Sequence, residues 1–320
     1  MNELQSIGTW WMWGGFGIFV VAMLAIDMFA LGRKGAHKVG AREALIWSLV
    51  WFTLAMVFGA ALWAWLDYTS GRAIADARAM EYLTGYLLEK TLAMDNIFVF
   101  VMIFSYFAVP LEYQKRILVY GVLGAIILRA LMILIGAWLI AQFHWVLYVF
   151  GAFLLITGIK MFVFADHEPN LATNPLLKWL RQHVRITDKY HADKFWITKN
   201  GVRWFTPMFL VLVLIEFSDV IFAMDSIPAI FAITNDPFIV FTSNIFAILG
   251  LRALYFLLAD MAERFHLLKF GLALVLIFVG IKMLIVEWFK IPVAVSLGVV
   301  VAVLGTSMLL SLLATRKAKS

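Results

Sequence analysis

Five carboxylates stand inside apolar stretches long enough to cross a bilayer: Glu89 and Asp95 in one, Glu216, Asp219 and Asp225 in another. On insertion scales a carboxylate at the centre of a membrane helix costs about 2.5 to 3.5 kcal/mol, so five cost about 12 to 18 kcal/mol before any pairing. A cost of that size argues for use. Oxygen donors of this kind suit Mn²⁺, Mg²⁺ or Ca²⁺, and they also carry protons. The bland alternative is a structural network in which Lys90, Arg129 and Arg252 neutralise the acids. Those three cations leave two negative charges over if every acid is ionised, which one divalent cation or two protons would balance.

Spacing limits what the acids can do together. Glu216 and Asp219 share a helix face, whereas the six residues from Asp219 to Asp225 turn through about 240° and rise about 9 Å. Pro228 offers no N–H to the Met224 carbonyl, which predicts a kink and a free oxygen beside Asp225. Asn96, Ser218, Ser226, Thr242, Ser243 and Asn244 are further oxygen donors at membrane depth. Met94 and Met224 are the thioethers that adjoin a central acid.

The elements that must position these residues follow from composition. With 64% hydrophobic and 14% charged residues over 320 positions, the chain is far more apolar than a soluble domain, and an all-α polytopic membrane protein is expected. There is no cysteine, so neither a disulfide framework nor a thiolate metal site is available. A net charge of +6, spread over short connections, fits loop asymmetry better than a nucleic-acid surface. The first apolar run lacks a basic flank and a small-residue cleavage site, and is expected to remain as a helix.

Apolar stretches of about 20 residues place nine spans at 11–31, 43–66, 80–107, 116–141, 145–164, 206–233, 238–259, 268–288 and 292–314. Odd-numbered connections are the more basic, with Arg33, Lys34, Lys38 and Arg42 in the first and seven Lys or Arg residues in 165–205. The N-terminus is therefore expected outside and the C-terminus in the cytoplasm.

A repeat runs through these spans. Glu89 to Asp219 and Asp95 to Asp225 are each 130 residues apart, Arg129 to Arg252 is 123, and Gly158-Ile159-Lys160-Met161 to Gly280-Ile281-Lys282-Met283 is 122. Each copy has three spans, and an odd number inverts the second copy, an architecture many secondary transporters use to build a midplane site. The expected organisation is a two-helix segment (1–79), a first repeat (80–164), an aqueous loop (165–205), a second repeat (206–289) and a final helix with a basic tail (290–320). Within the loop, Pro175 to Arg185 reads as a surface helix lying on the membrane, and Phe195 to Trp204 as a hairpin around Asn200-Gly201. Asp166, His167 and Glu168 read as solvated residues rather than metal ligands.

The paired motifs Glu89-Lys90-Thr91-Leu92-Ala93-Met94-Asp95-Asn96 and Glu216-Phe217-Ser218-Asp219 through Asp225-Ser226-Ile227-Pro228 resemble those of the bacterial TerC family, historically linked to tellurite resistance. The resemblance extends from Trp13-Gly14-Gly15-Phe16 to Ile291-Pro292 and beyond, nearly the whole chain. It implies an inner-membrane cation exporter of the lysine-exporter-like superfamily, with Mn²⁺ as the leading substrate. The expected metal-site residues are Glu89, Asp95, Asn96, Glu216, Asp219, Asp225 and Ser226, with Asp95 and Asp225 foremost. No nucleotide-cradling Gly-rich loop or hydrolase pattern is present, so a transporter rather than an enzyme is expected. It would have no cofactor, and Mn²⁺ cargo, coupling protons and the lipid bilayer as partners. A proton or sodium antiporter for pH homeostasis, and a membrane assembly or metalation factor, are the rival readings.

Overall fold

The structure, a computed structural model, describes residues 6–34, 40–143, 145–163, 174–199, 201–258 and 267–317; the side chains of Met94 and Asp95 lie outside the described residues, as do Asp166, His167 and Glu168. Helices α1 (Trp10–Lys34), α2 (Ala41–Ser70), α3 (Arg72–Tyr106), α4 (Leu111–Gln142) and α5 (Val146–Val163) come first. A short helix α6 (Pro175–His183) and a hairpin of β1 (Trp196–Lys199) and β2 (Val202–Phe205) follow. The chain ends with α7 (Pro207–Phe231), α8 (Pro237–Leu249), α9 (Leu251–Leu258), α10 (Leu268–Leu284) and α11 (Val293–Lys317).

This is an all-α integral membrane protein. Among the described residues five helices are long and apolar enough to cross a bilayer, and six if α8 and α9, bent by 41° at Gly250, form one span. The other long elements are not counted: the side chains of α1 are described only as far as Ile26, α10 has 17 residues, and α3 carries Glu89, Lys90 and Asp95 within its apolar stretch. Helix α4 has the inside-out amphipathicity of a membrane helix. Ile127, Leu131, Leu134, Ile135 and Trp138 are exposed, while Ala125, Arg129, Ile133, Gly136 and Ile140 are buried. Apolar side chains facing lipid cost nothing, whereas a guanidinium there would be expensive.

Helix α3 packs on α8, α4 on α7, and α3 on α7. The tightest approach joins α5 to α10, where small residues let backbones touch. A Cβ at Gly158 would stand 2.9 Å from the Ala273 carbonyl oxygen and the Ile277 nitrogen, and one at Gly280 would stand 2.8 Å from the Gly151 oxygen and 2.7 Å from the Leu155 nitrogen. With Gly151 against Gly280 and Gly158 against Ala273, the two helices run antiparallel.

One end of the molecule is capped by the 174–206 segment. Strands β1 and β2 pair antiparallel with Trp196 opposite Phe205 and Lys199 opposite Val202, and Gly201 takes φ 73° in the turn, where a side chain would be strained; Asn200 lies outside the described residues. Asn174 caps α6 by accepting from the Leu176 and Leu177 nitrogens, with Pro175 at the first helical position. The amphipathic pattern of α6 predicts an apolar face lying on lipid; two residues of that face meet protein instead, while Trp179 is half exposed. Leu177 and Leu180 are buried in a cluster with Phe104, Val109, Phe195 and Leu210, because the hairpin and the start of α7 reach them first. The Tyr190 hydroxyl donates to the Phe107 carbonyl (2.8 Å), and Arg116 pairs with Asp193.

The other end is tied by Asp236. Its carboxylate caps α8 through the Phe238 and Ile239 nitrogens and accepts from the Ile7 nitrogen (2.7 Å) and the Ser6 hydroxyl (3.2 Å). Beside it the Thr234 hydroxyl donates to Glu81 near the start of α3 (2.7 Å). Helix α3 therefore ends where α7 begins, and the two are antiparallel.

Candidate functional site

Glu89 and Asp219 occupy the midpoints of α3 and α7. Both carboxylates meet one cation, Arg129 of α4, and Glu89, Asp219 and Arg129 are each at least 98% buried. Arg129 grips Asp219 with a two-point fork, Nε to Oδ2 at 3.3 Å and Nη2 to Oδ1 at 2.9 Å, the geometry that suits a planar guanidinium. Its Nη1 pairs with Glu89 and donates to the Ser226 hydroxyl (3.2 Å). The Asn96 amide nitrogen lies 3.4 Å from Asp219 Oδ1. Glu89, Asn96, Asp219 and Ser226 are thus brought together, around an arginine rather than around an open cavity.

The other acids stand at different levels. Glu216 is one turn from Asp219 toward the hairpin end, against Gly124, where any Cβ would overlap its carboxylate. Asp225 lies two turns the other way, its carboxylate within hydrogen-bonding reach of Thr157 on α5. Because α3 and α7 are antiparallel, the Asp95 backbone lies on the hairpin side of Glu89 while Asp225 lies on the opposite side of Asp219, each by about 9 Å of helix rise. The Asp95 backbone and Asp225 therefore stand at different depths along the two helices. Among the described residues no three acidic or histidine side chains come together. The described acids form a ladder with three rungs: Glu216, level with the Asp95 backbone, then Glu89, Arg129 and Asp219, then Asp225.

Several rung oxygens are buried without a hydrogen-bond partner among the described residues: Glu89 Oε2, Asn96 Oδ1, Glu216 Oε2 and Asp225 Oδ1. Such groups are costly in a dry interior unless a ligand, water or proton serves them. Other expected donors are occupied locally. Ser218 bonds the Leu214 carbonyl, Thr242 and Ser243 bond the Phe238 and Ile239 carbonyls, and Met224 is half exposed. The Asn244 side chain is fully buried, with neither amide atom bonded among the described residues. Lys90 does not join the acids; its ammonium donates to the Ala247 carbonyl (3.2 Å), which the break at Gly250 leaves available. Helix α7 continues through Pro228 to Phe231.

Access differs at the two ends. A cavity of about 550 Å³ opens beside the last turn of α7, lined by Arg78, Glu81, Phe231, Thr234, Asp236 and Lys282. Toward the hairpin the space is filled by Ile97, Phe100, Phe104, Leu118, Leu214 and Leu251.

The profile described as "Integral membrane protein TerC family" matches residues 74–319, which carry every rung of this ladder. The chain belongs to the TerC family. It is 58% identical over 301 residues to the Escherichia coli K12 and Shigella flexneri proteins named "Putative membrane-bound redox modulator Alx", covering 94% of each chain. It is 48% identical over 318 residues to an uncharacterized membrane protein of Myxococcus xanthus, covering 99% of this chain and 97% of that one. No solved structure matches it. Gly124 and Thr157, which touch two acids of this TerC-family chain, escape sequence reasoning because a glycine and a threonine in apolar helices carry no signal of their neighbours. Asp236 escapes it for a different reason: it looks like an ordinary loop acid.

Proposed function

We propose that this chain is a secondary transporter of the bacterial inner membrane that exports Mn²⁺ from the cytoplasm in exchange for protons. The observation that carries the reading is the ladder of buried acids on two antiparallel helices, with oxygens that have no hydrogen-bond partner among the described residues. A path for a hard cation needs such donors, and a purely structural network serves most of its buried oxygens. The proposed frame is nine spans with two inverted three-helix copies. Its support is the α5–α10 contact. Under the 122-residue offset Gly151 answers to Ala273, Leu155 to Ile277 and Gly158 to Gly280, so the two sets of close backbone contacts interchange. The pairing of α3 with α8 and of α4 with α7 interchanges in the same way. In this frame the hairpin end is cytoplasmic and sealed, and the cavity faces outward.

No catalytic step and no resident cofactor enters this reading; the metal is cargo. The redox role in the relatives' name has no thiol counterpart here, since the chain contains no cysteine.

Two experiments test it. Asp95→Asn and Asp225→Asn each remove charge at near-constant shape from an outer rung, and each is expected to abolish protection of cells against high manganese while membrane levels stay normal. Protection by both variants would place the path elsewhere. Reporter fusions after Arg42 and within 165–205 should both report cytoplasm, and opposite sides for the two would break the inverted frame.

A further inference from the structure

We propose that Arg129 is the transporter's own tethered cation, which occupies the central carboxylates in the absence of cargo and releases them when a divalent ion passes. The proposal rests on the transport reading above and assigns a role within the same site.

Three observations carry it. Arg129 bonds one acid from each copy, Glu89 and Asp219, at positions equivalent under the 130-residue offset, and it also bonds Ser226. It stands on the middle rung, so a cation moving from the Asp95–Glu216 level to Asp225 must pass the oxygens it holds. Asn96 Oδ1 and Glu89 Oε2 are buried beside it with no hydrogen-bond partner among the described residues.

Charge makes the occupancy exclusive. Two carboxylates and one guanidinium sum to a single negative charge, whereas a divalent ion added beside the guanidinium would press two cations together where water is absent. With Arg129 turned away, the Glu89 and Asp219 carboxylates, Asn96 Oδ1 and Ser226 Oγ form a set of hard oxygens suited to a divalent ion. Arginine fits this task better than lysine because its planar fork spans both acids. The empty carrier also needs a counter-cation to reset, since unpaired carboxylates are costly to carry through a dry interior. Arg129 supplies that charge.

The test uses the purified full-length protein. By Mn²⁺ titration in detergent, Arg129→Gln should bind about ten-fold more tightly than wild type or better, the size of an ordinary coupling between sites. In proteoliposomes the same variant should lose net Mn²⁺ movement yet keep Mn²⁺/Mn²⁺ exchange, because loaded carriers cycle without resetting empty. Arg129→Lys should fall between the two on all three readouts, and it carries the test if the Gln variant does not fold. Unchanged or weaker binding in a folded variant, or exchange lost together with net movement, overturns the proposal. A wild type that neither binds nor moves Mn²⁺ removes the transport reading and this role with it. Wild-type transport with unaltered Arg129 variants removes this role alone.

Discussion

Asp219→Ala is expected to destabilise the folded protein by about 3 to 5 kcal/mol, the loss typical when one partner of a buried ion pair is deleted. Asp219 holds Arg129 by two of its guanidinium nitrogens, and both residues are almost fully buried, so water cannot replace the lost carboxylate. Denaturant titration of the protein in mixed micelles measures this directly. Replacing Glu89, Arg129 and Asp219 together by apolar residues of similar volume should restore most of the stability, since well-packed apolar side chains commonly match a buried ionic triad. A loss below about 0.5 kcal/mol for Asp219→Ala, the range of an ordinary surface change, would mean that Arg129 finds another partner.

Gly158→Val and Gly280→Val should each cost about 1 to 3 kcal/mol, the usual penalty for overpacking, and more if α5 and α10 cannot separate. At both positions the first added carbon meets backbone atoms at 2.7 to 2.9 Å, and backbone cannot rotate away as a side chain can. Because the two contacts interchange under the repeat, their penalties should be similar in the same denaturation assay. Gly15 and Gly17 of α1 are the controls. Nothing lies within 4 Å of a Cβ there, and alanine should be neutral or slightly stabilising through its better helix propensity. Tolerance of valine at Gly280 with loss at Gly158 would contradict a two-fold relation between the helices.

Much of this was legible in the sequence. The helix at Trp10, the hairpin flanking Gly201 and the α6 helix follow from apolar run length, turn chemistry and an Asn-Pro start. The ladder itself was implicit in the repeat. In the proposed inverted frame, a shared offset of 130 sends the Asp95 backbone and Asp225 to opposite sides of the middle rung. What sequence leaves open is the choice of partner. Lys90, Arg129 and Arg252 are chemically alike as counter-ions, and only packing shows that Arg129 takes two acids while Lys90 takes the Ala247 carbonyl. An amphipathic pattern likewise cannot say what covers its apolar face, and α6 turned out to cover its own protein.

The most direct test of the central claim is ion-resolved flux in sealed proteoliposomes carrying a pH-sensitive dye. Moving a divalent cation out against an inside-negative potential costs about 4.6 kcal/mol per 100 mV, and in the proposed exchange protons competing for the same carboxylate oxygens supply it. The wild type should move Mn²⁺ in one direction and protons in the other, and Asp219→Asn should weaken that coupling. Metal-independent exchange of sodium or protons, with no Mn²⁺ movement at all, would contradict the account.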